Sequence, residues 1–337
     1  MDKVLHAPAL ARFNAGMNAL VQLLEARAGI RRRSDDTTGE VAFAAANSLW
    51  GQRDLGWEQV FLDALARNYG AGMRLVNYRT DPAGAELLIN AWTSGTTLGK
   101  IPRLIPPGTL DNLTRLVLVN AIHFRAPWEE PFEKPATRRR PFVTEDGAHV
   151  EVDMMSHDLR RAAVASGPGW RAARLNYIGG DIAMAVVVPD PEVPLAAVEE
   201  SFDGPMLSQL LDGFRPVKAI RVEMPRWTFR VQSHLNEHLK ALGMPTAFDQ
   251  YNADLSGMTT QEQMYISHVL HEAFIAVDED GTEAAAATAV VVRTLSAQRP
   301  PSLVLTADRP FMFVLFDVET ATPLFIGRVS QPTNEDG

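Results

Sequence analysis

The chain has 337 residues and no cysteine; 46% are hydrophobic and 22% charged, and 32 Lys and Arg against 41 Asp and Glu leave a net charge of −9. A disulfide scaffold and a thiol nucleophile are excluded, and the acidic balance opposes nonspecific nucleic-acid binding, which needs clustered cations. The one basic run, Arg138-Arg139-Arg140, reads as a solvated turn.

Apolar runs such as Ile182 to Val188 fall far short of the roughly 20 residues that cross a bilayer, so no membrane partner is expected. Met1-Asp2-Lys3-Val4 is not followed by a long apolar stretch, and no signal peptide is read in the chain as given. A cysteine-free composition suits oxidising and reducing compartments alike.

In chain order, residues 8–28 carry helical spacing through Leu10, Phe13, Met17, Leu20, Val21 and Leu24. The pattern recurs over Trp57 to Tyr69 and Ala85 to Leu98. After residue 115 the texture changes to short apolar runs closed by turn residues. Leu116 to Val119, Ile182 to Val188, Ile220 to Glu223, Ala273 to Val277, Phe311 to Phe316 and Leu324 to Val329 read as strands. Helical patterns return at Pro205 to Leu211 and His234 to Leu242. Helices dominate the first third and strands the rest, without regular alternation, which predicts an α+β fold with largely antiparallel sheets in one domain over 1–337.

No phosphate-cradling glycine loop and no Gly-x-Ser-x-Gly elbow occurs. His234-Leu235-Asn236-Glu237-His238 matches an H-x-x-E-H pattern. On one helix face the two histidines could chelate zinc, with Glu237 as general base, as in a zinc peptidase. The competing reading turns both histidines to solvent and buries Val231, Leu235, Leu239 and Leu242. Asn112-Leu113-Thr114 fits a glycosylation acceptor and is assigned no function.

Residues 278–301 carry the sharpest signal. Ala284, Ala285, Ala286 and Ala287 favour helix, whereas Thr288 and Val290 to Val292 favour strand. As a strand, one face receives Thr282, Ala284, Ala286, Thr288, Val290, Val292 and Thr294, all uncharged, while Glu283 and Arg293 share the other. The segment nevertheless follows the acidic turn Asp278-Glu279-Asp280-Gly281 and runs into Ser-Ala-Gln-Arg-Pro-Pro, which reads as exposed loop. An Ala-rich surface helix followed by an ordinary strand is the alternative.

This segment resembles the hinge and reactive-centre loop of a serpin. Further blocks agree in order: Asn47-Ser48-Leu49-Trp50, Ile89-Asn90-Ala91-Trp92, Leu118 to Phe124, Trp128 with Pro131-Phe132, Pro225-Arg226-Trp227, Asp254-Leu255-Ser256-Gly257, Ile266 to Ala273, Asp308-Arg309-Pro310-Phe311 and Phe325 to Val329. The resemblance covers about 40–332, and before residue 10 the family's N-terminal helices find no match. High Ala and Arg usage and absent cysteine suit a bacterial, thermopin-like member.

The resemblance implies a serpin fold, with helices packed on three largely antiparallel sheets and an insertable loop at about 279–302. It implies a serine protease inhibitor rather than an enzyme, acting as a suicide substrate: the protease acylates the loop, whose hinge side (Gly281, Thr282, Glu283, Ala284, Ala285, Ala286, Ala287, Thr288) then enters the central sheet. The implied partner is a serine protease of chymotrypsin or elastase type, held as a covalent acyl complex by a monomeric inhibitor. No cofactor or metal is implied, and an extracellular setting is favoured. Family spacing puts the scissile residue fourteen after Gly281, at Leu295 followed by Ser296, with Arg293 and Arg299 as rivals. By motif, Asn120 and His271 resemble a polar pair under the opening sheet, Trp128 lies where the loop enters, and Glu279 and Arg226 resemble a salt bridge there. A non-inhibitory, chaperone-like member is the alternative, opposed by the uncharged hinge.

Overall fold

A computed structural model of the chain describes residues 9–69, 72–283, 301 and 303–333. The order is α1 (Leu10–Arg27), β1 (Gly29–Arg32), β2 (Thr38–Gln52), α2 (Gln59–Tyr69), β3 (Arg74–Val76), α3 (Pro82–Thr96) and β4 (Leu116–Pro127). There follow β5 (Arg138–Val143), β6 (His149–Leu159), β7 (Ala162–Gly167), β8 (Trp170–Asn176), β9 (Ile182–Pro189), α4 (Leu195–Ser201) and α5 (Gly204–Asp212). The remainder is β10 (Arg215–Val217), β11 (Ile220–Pro225), β12 (Trp227–His234), α6 (Asn236–Ala241), β13 (His268–Val277), β14 (Gly281–Thr282), β15 (Leu303–Thr306), β16 (Phe311–Asp317) and β17 (Thr322–Val329).

Among the described residues the strands form three sheets. A seven-stranded sheet runs β1-β2-β4-β14-β13-β12 with β3 on β2; a six-stranded sheet runs β10-β7-β8-β9-β16-β17; a four-stranded sheet runs β15-β11-β6-β5. With six α-helices among the described residues this is an α+β fold. Two compact units are formed, one from the stretches up to Ala26, Phe43–His123 and Arg230–Phe274, the other from Arg27–Ala42, Phe124–Phe229 and the chain from Ile275 onward.

In the second unit the core lies on β9 and β16. Every residue of both strands is buried, because each runs between two neighbours and under α4 and α5. Val187, Val314 and Phe316 pack there with Leu195, Val198, Leu210 and Leu211 from the helices. Asp317 is the exception in charge, and Arg27 Nε answers it at 2.8 Å. In the first unit Met244, Phe248 and Ile266 form a smaller cluster with Leu118 and Val269. There α3 buries Ala85 and Ile89, starts on Pro82, and has Asp81 Oδ1 accepting from Gly84 N at 2.8 Å, a side-chain N-cap.

The predicted helices and the later strands are found, with differences at their bounds and elsewhere; the helix predicted from His234 starts at Asn236. The first third also holds β1, β2 and β3; β2 is written Thr-Gly-Glu-Val-Ala-Phe-Ala-Ala-Ala-Asn, whose alanines carry little strand propensity, so tertiary pairing decides it. The strands predicted at Leu116 to Val119 and Ala273 to Val277 extend to Pro127 and back to His268. Arg138-Arg139-Arg140 is no turn: it opens β5, paired antiparallel with β6, while its side chains stay in solvent.

Candidate hinge site

Two strands set the geometry. In the first unit β4 and β13 pair directly and in parallel, from His268↔Val117 to Phe274↔His123. In the second unit the ends of the same strands pair with β14 instead: Gly281↔Pro127 and Thr282↔Ala126 on β4, and Thr282↔Val277 on β13, all antiparallel. Gly281 and Thr282 thus occupy a strand position between β4 and β13. Glycine is required at 281, because a Cβ there would stand 2.2 Å from Ala126 O.

Thr282 is completely buried, and its Oγ1 lies 2.6 Å from Tyr177 Oη. Desolvation pushes the Tyr177 phenol far above its usual range despite that bond, so it stays neutral. The next residue leaves the extended path. Glu283 N still donates to Ala276 O at 2.9 Å, but its φ of 48° lies in the left-handed region, which costs a non-glycine residue roughly 1–2 kcal/mol.

The turn before β14 is tied down through three successive carbonyls. Asp278 O accepts from the Trp128 indole Nε1 at 3.0 Å, Glu279 O from Phe132 N at 2.9 Å, and Asp280 O from Trp128 N at 2.9 Å. Trp128 is itself buried and stacks on Tyr177, ring centroids 4.4 Å apart.

Each carboxylate in the turn is separately answered. Asp278 Oδ1 accepts from the backbone N of Asp280 at 2.8 Å and of Gly281 at 3.1 Å, though burial raises its pKa. Asp280 meets Lys134 Nζ at 2.7 Å. Glu279, 1% exposed, pairs with Arg226 and accepts from Thr137 Oγ1. Its burial opposes ionisation, but those two bonds win and hold its carboxyl below the usual range.

In the first unit His271 Nδ1 lies 2.5 Å from Asn120 Oδ1, and Asn120 Nδ2 donates to Asn47 Oδ1. The carbonyl oxygen of Asn120 can only accept, so the imidazole carries its proton on Nδ1. Desolvation holds the His271 pKa below its usual value.

The structure therefore brings together Trp128, Arg226, Glu279, Gly281 and Thr282 in one unit, and Asn120 with His271 in the other. Ala284, Ala285, Ala286, Ala287, Thr288, Arg293, Leu295, Ser296 and Arg299 lie outside the described residues. Tyr177, Thr137 and Lys134 carry no signal in the sequence, where a lone tyrosine reads as core and a lone lysine as surface.

The zinc pattern loses its premise. His234 ends strand β12 and only Glu237 and His238 lie on α6, so the two histidines share no helix face. The competing reading holds in part: His234 and His238 are exposed and Leu235 and Leu239 half-buried, but Val231 is 54% and Leu242 67% exposed. Among the described residues, no group of three His, Asp or Glu could hold a metal ion.

Comparison with known proteins supplies the setting. Residues 1–332 match the family model Serpin (serine protease inhibitor). The chain is 32% identical over 290 residues to Antithrombin-III of Mus musculus and 34% identical over 293 residues to Leukocyte elastase inhibitor of Equus caballus, covering 86% and 85% of this chain. It spans 62% of the former's length and 77% of the latter's. Among solved structures it is similar to Serpin48 of the insect Tenebrio molitor (TM-score 0.82, 26% identity, 98% of this chain and 84% of that one). Native protease nexin-1 with heparin matches at TM-score 0.82 and 28% identity, over 98% and 85%.

Proposed function

This chain belongs to the serpin family, several of whose members are named as protease inhibitors, and from that premise we propose that it inhibits a serine protease as a suicide substrate. Residues 1–337 act as one monomeric serpin domain whose loop, about 279–302, is the bait. The protease cleaves after Leu295, remains bound as an acyl complex with Ser296 at the new N-terminus, and the hinge side from Gly281 enters the central sheet. A leucine at the scissile position suits a hydrophobic specificity pocket, as in chymotrypsin or elastase. The chain performs no catalysis of its own and calls for no cofactor, metal, nucleic acid or membrane.

The observation that carries this reading is the position of Gly281 and Thr282 as a strand between β4 and β13. Lengthening that strand replaces the seven direct pairs of β4 with β13 by two antiparallel ladders, the better-paired geometry. About a dozen inserted residues at about 1 kcal/mol net per hydrogen bond, with burial of alanine and valine methyls, supply on the order of 10 kcal/mol. Glu283 adds the relief of its left-handed backbone. The uncharged face of 282–294 leaves nothing on the buried side that would oppose entry.

The test mixes the protein with chymotrypsin, elastase and trypsin separately. An adduct that survives denaturant, with a released peptide beginning at Ser296, is the expected result. Cleavage without adduct would leave a non-inhibitory serpin.

A further inference from the structure

The turn 33–37, which joins β1 to β2, lies in the stretch Arg27–Ala42, which belongs to the same unit as the hinge although the stretches before and after it, ending at Ala26 and starting at Phe43, belong to the other. It is built to hold one side chain. Arg33 N donates to Thr37 O at 2.8 Å, Asp36 takes φ 68°, and Asp35 Oδ1 accepts from Thr37 N at 3.0 Å and Thr37 Oγ1 at 2.6 Å. The Thr37 hydroxyl, its hydrogen given to Asp35, then accepts from Arg33 Nη1 at 3.1 Å. With its fork fixed this way, Arg33 donates from Nε to Trp128 O at 2.8 Å.

The rest of the hairpin lies along the same segment. Ser34 N donates to Glu129 Oε1 at 3.0 Å, Glu40 pairs with Arg125, and Gly39 is so close to Pro127 that a Cβ would come within 2.7 Å of its Cγ. Trp128 is thereby gripped on two sides. Its carbonyl is held by Arg33, while its backbone N–H and its indole N–H hold the carbonyls of Asp280 and Asp278.

We propose that Arg33 is a positioning residue for the hinge: through the Trp128 carbonyl it fixes the two Trp128 donors that keep residues 278–282 at the mouth between β4 and β13. A guanidinium on a peptide carbonyl is a charge-assisted bond and the stronger for it. Two residues held in the sheet are the nucleus on which further insertion builds, so loosening them slows entry relative to hydrolysis of the acyl bond. That consequence rests on the inhibitory reading; the positioning itself does not.

The experiment compares the full chain with Arg33→Ala, Arg33→Lys and Thr37→Val by hydrogen exchange. Arg33→Ala should raise exchange about tenfold or more for amides in 128–132 and 278–283, the loss of one charge-assisted bond. Exchange of 311–329 should stay unchanged. Arg33→Lys should restore most of the protection, since an ammonium can donate to the same carbonyl, and Thr37→Val, which keeps the shape and removes the acceptor, should shift exchange the same way by a few-fold. With a protease that the wild-type chain traps, Arg33→Ala should send a larger fraction to cleaved product at an unchanged melting temperature. Unaltered hinge exchange, or equal loss of protection at 311–329, would overturn the proposal. A wild-type chain that traps no protease would defeat the inhibitory reading and leave the exchange comparison to decide on Arg33.

Discussion

Tyr177 and Thr282 meet hydroxyl to hydroxyl at 2.6 Å, both with no exposed surface, in the middle of the grip that Trp128 and Glu279 exert on the hinge. A threonine fits because its methyl packs while its oxygen answers the phenol. Thr282→Arg places a charge where nothing is set to receive it, at a cost of several kcal/mol, about 3 or more. The expected outcome is an inhibitor turned substrate: cleavage by the target protease persists, and the denaturant-resistant adduct disappears on a gel. Thr282→Val, of nearly the same shape, should leave the Tyr177 hydroxyl unsatisfied and lower stability by about 1–3 kcal/mol in denaturant unfolding.

Gly281→Ala tests the backbone approach. The added methyl would collide with Ala126 O and Pro127 Cα, both backbone, so no side chain can yield. Residues 281–282 should leave their place beside β4. Hydrogen exchange at Glu283 N, bonded to Ala276 O, should rise to the level of an open loop while β9 and β16 keep their protection.

Glu279 gives the hinge an acid limit. Its carboxyl titrates below the usual value in the folded chain, so its stabilising effect is present above the unfolded value of about 4.3 and fades as pH falls through the lower folded one. The melting temperature should drop over that range, and Glu279→Gln should flatten the drop. Arg226→Met strands a buried carboxylate and should cost about 3 kcal/mol at neutral pH, less whatever solvent reaches the half-exposed guanidinium.

His271 acts at milder pH. Its folded pKa is depressed by burial, so stability is full above about 6.5 and declines as pH falls through the lower folded value, when the ring must take a second proton. Unfolding curves in the wild type should show this decline, and His271→Gln, which can still donate to Asn120, should remove it.

Cleavage in the loop should stabilise the chain. If the hinge side enters the sheet, the nicked molecule gains on the order of 10 kcal/mol, and its melting temperature should exceed that of the intact one by about 10 °C or more in calorimetry. An equal melting temperature would mean that the loop stays outside.

The elements that depend on local pattern were open to reading in the sequence. The apolar runs of β9 and β16 announce buried strands, since a stretch such as Ile182 to Val188 has no polar face to give to water. Of the uncharged face read from Thr282 onward, Thr282 alone lies among the described residues, where it is buried. Other features could not be read this way. Strand β2 is alanine-rich and exists because β1, β3 and β4 supply its hydrogen bonds, and His234 ends a strand where spacing alone starts a helix. Arg33, Thr137 and Tyr177 are ordinary residues 95, 142 and 105 positions from their partners in the site. Pattern and composition determine which face of a segment can be buried, because that is a property of neighbouring side chains. Which distant donor meets which carbonyl is decided only when the chain closes, because a hydrogen bond depends on position to within a few tenths of an ångström and carries no periodic trace along the sequence.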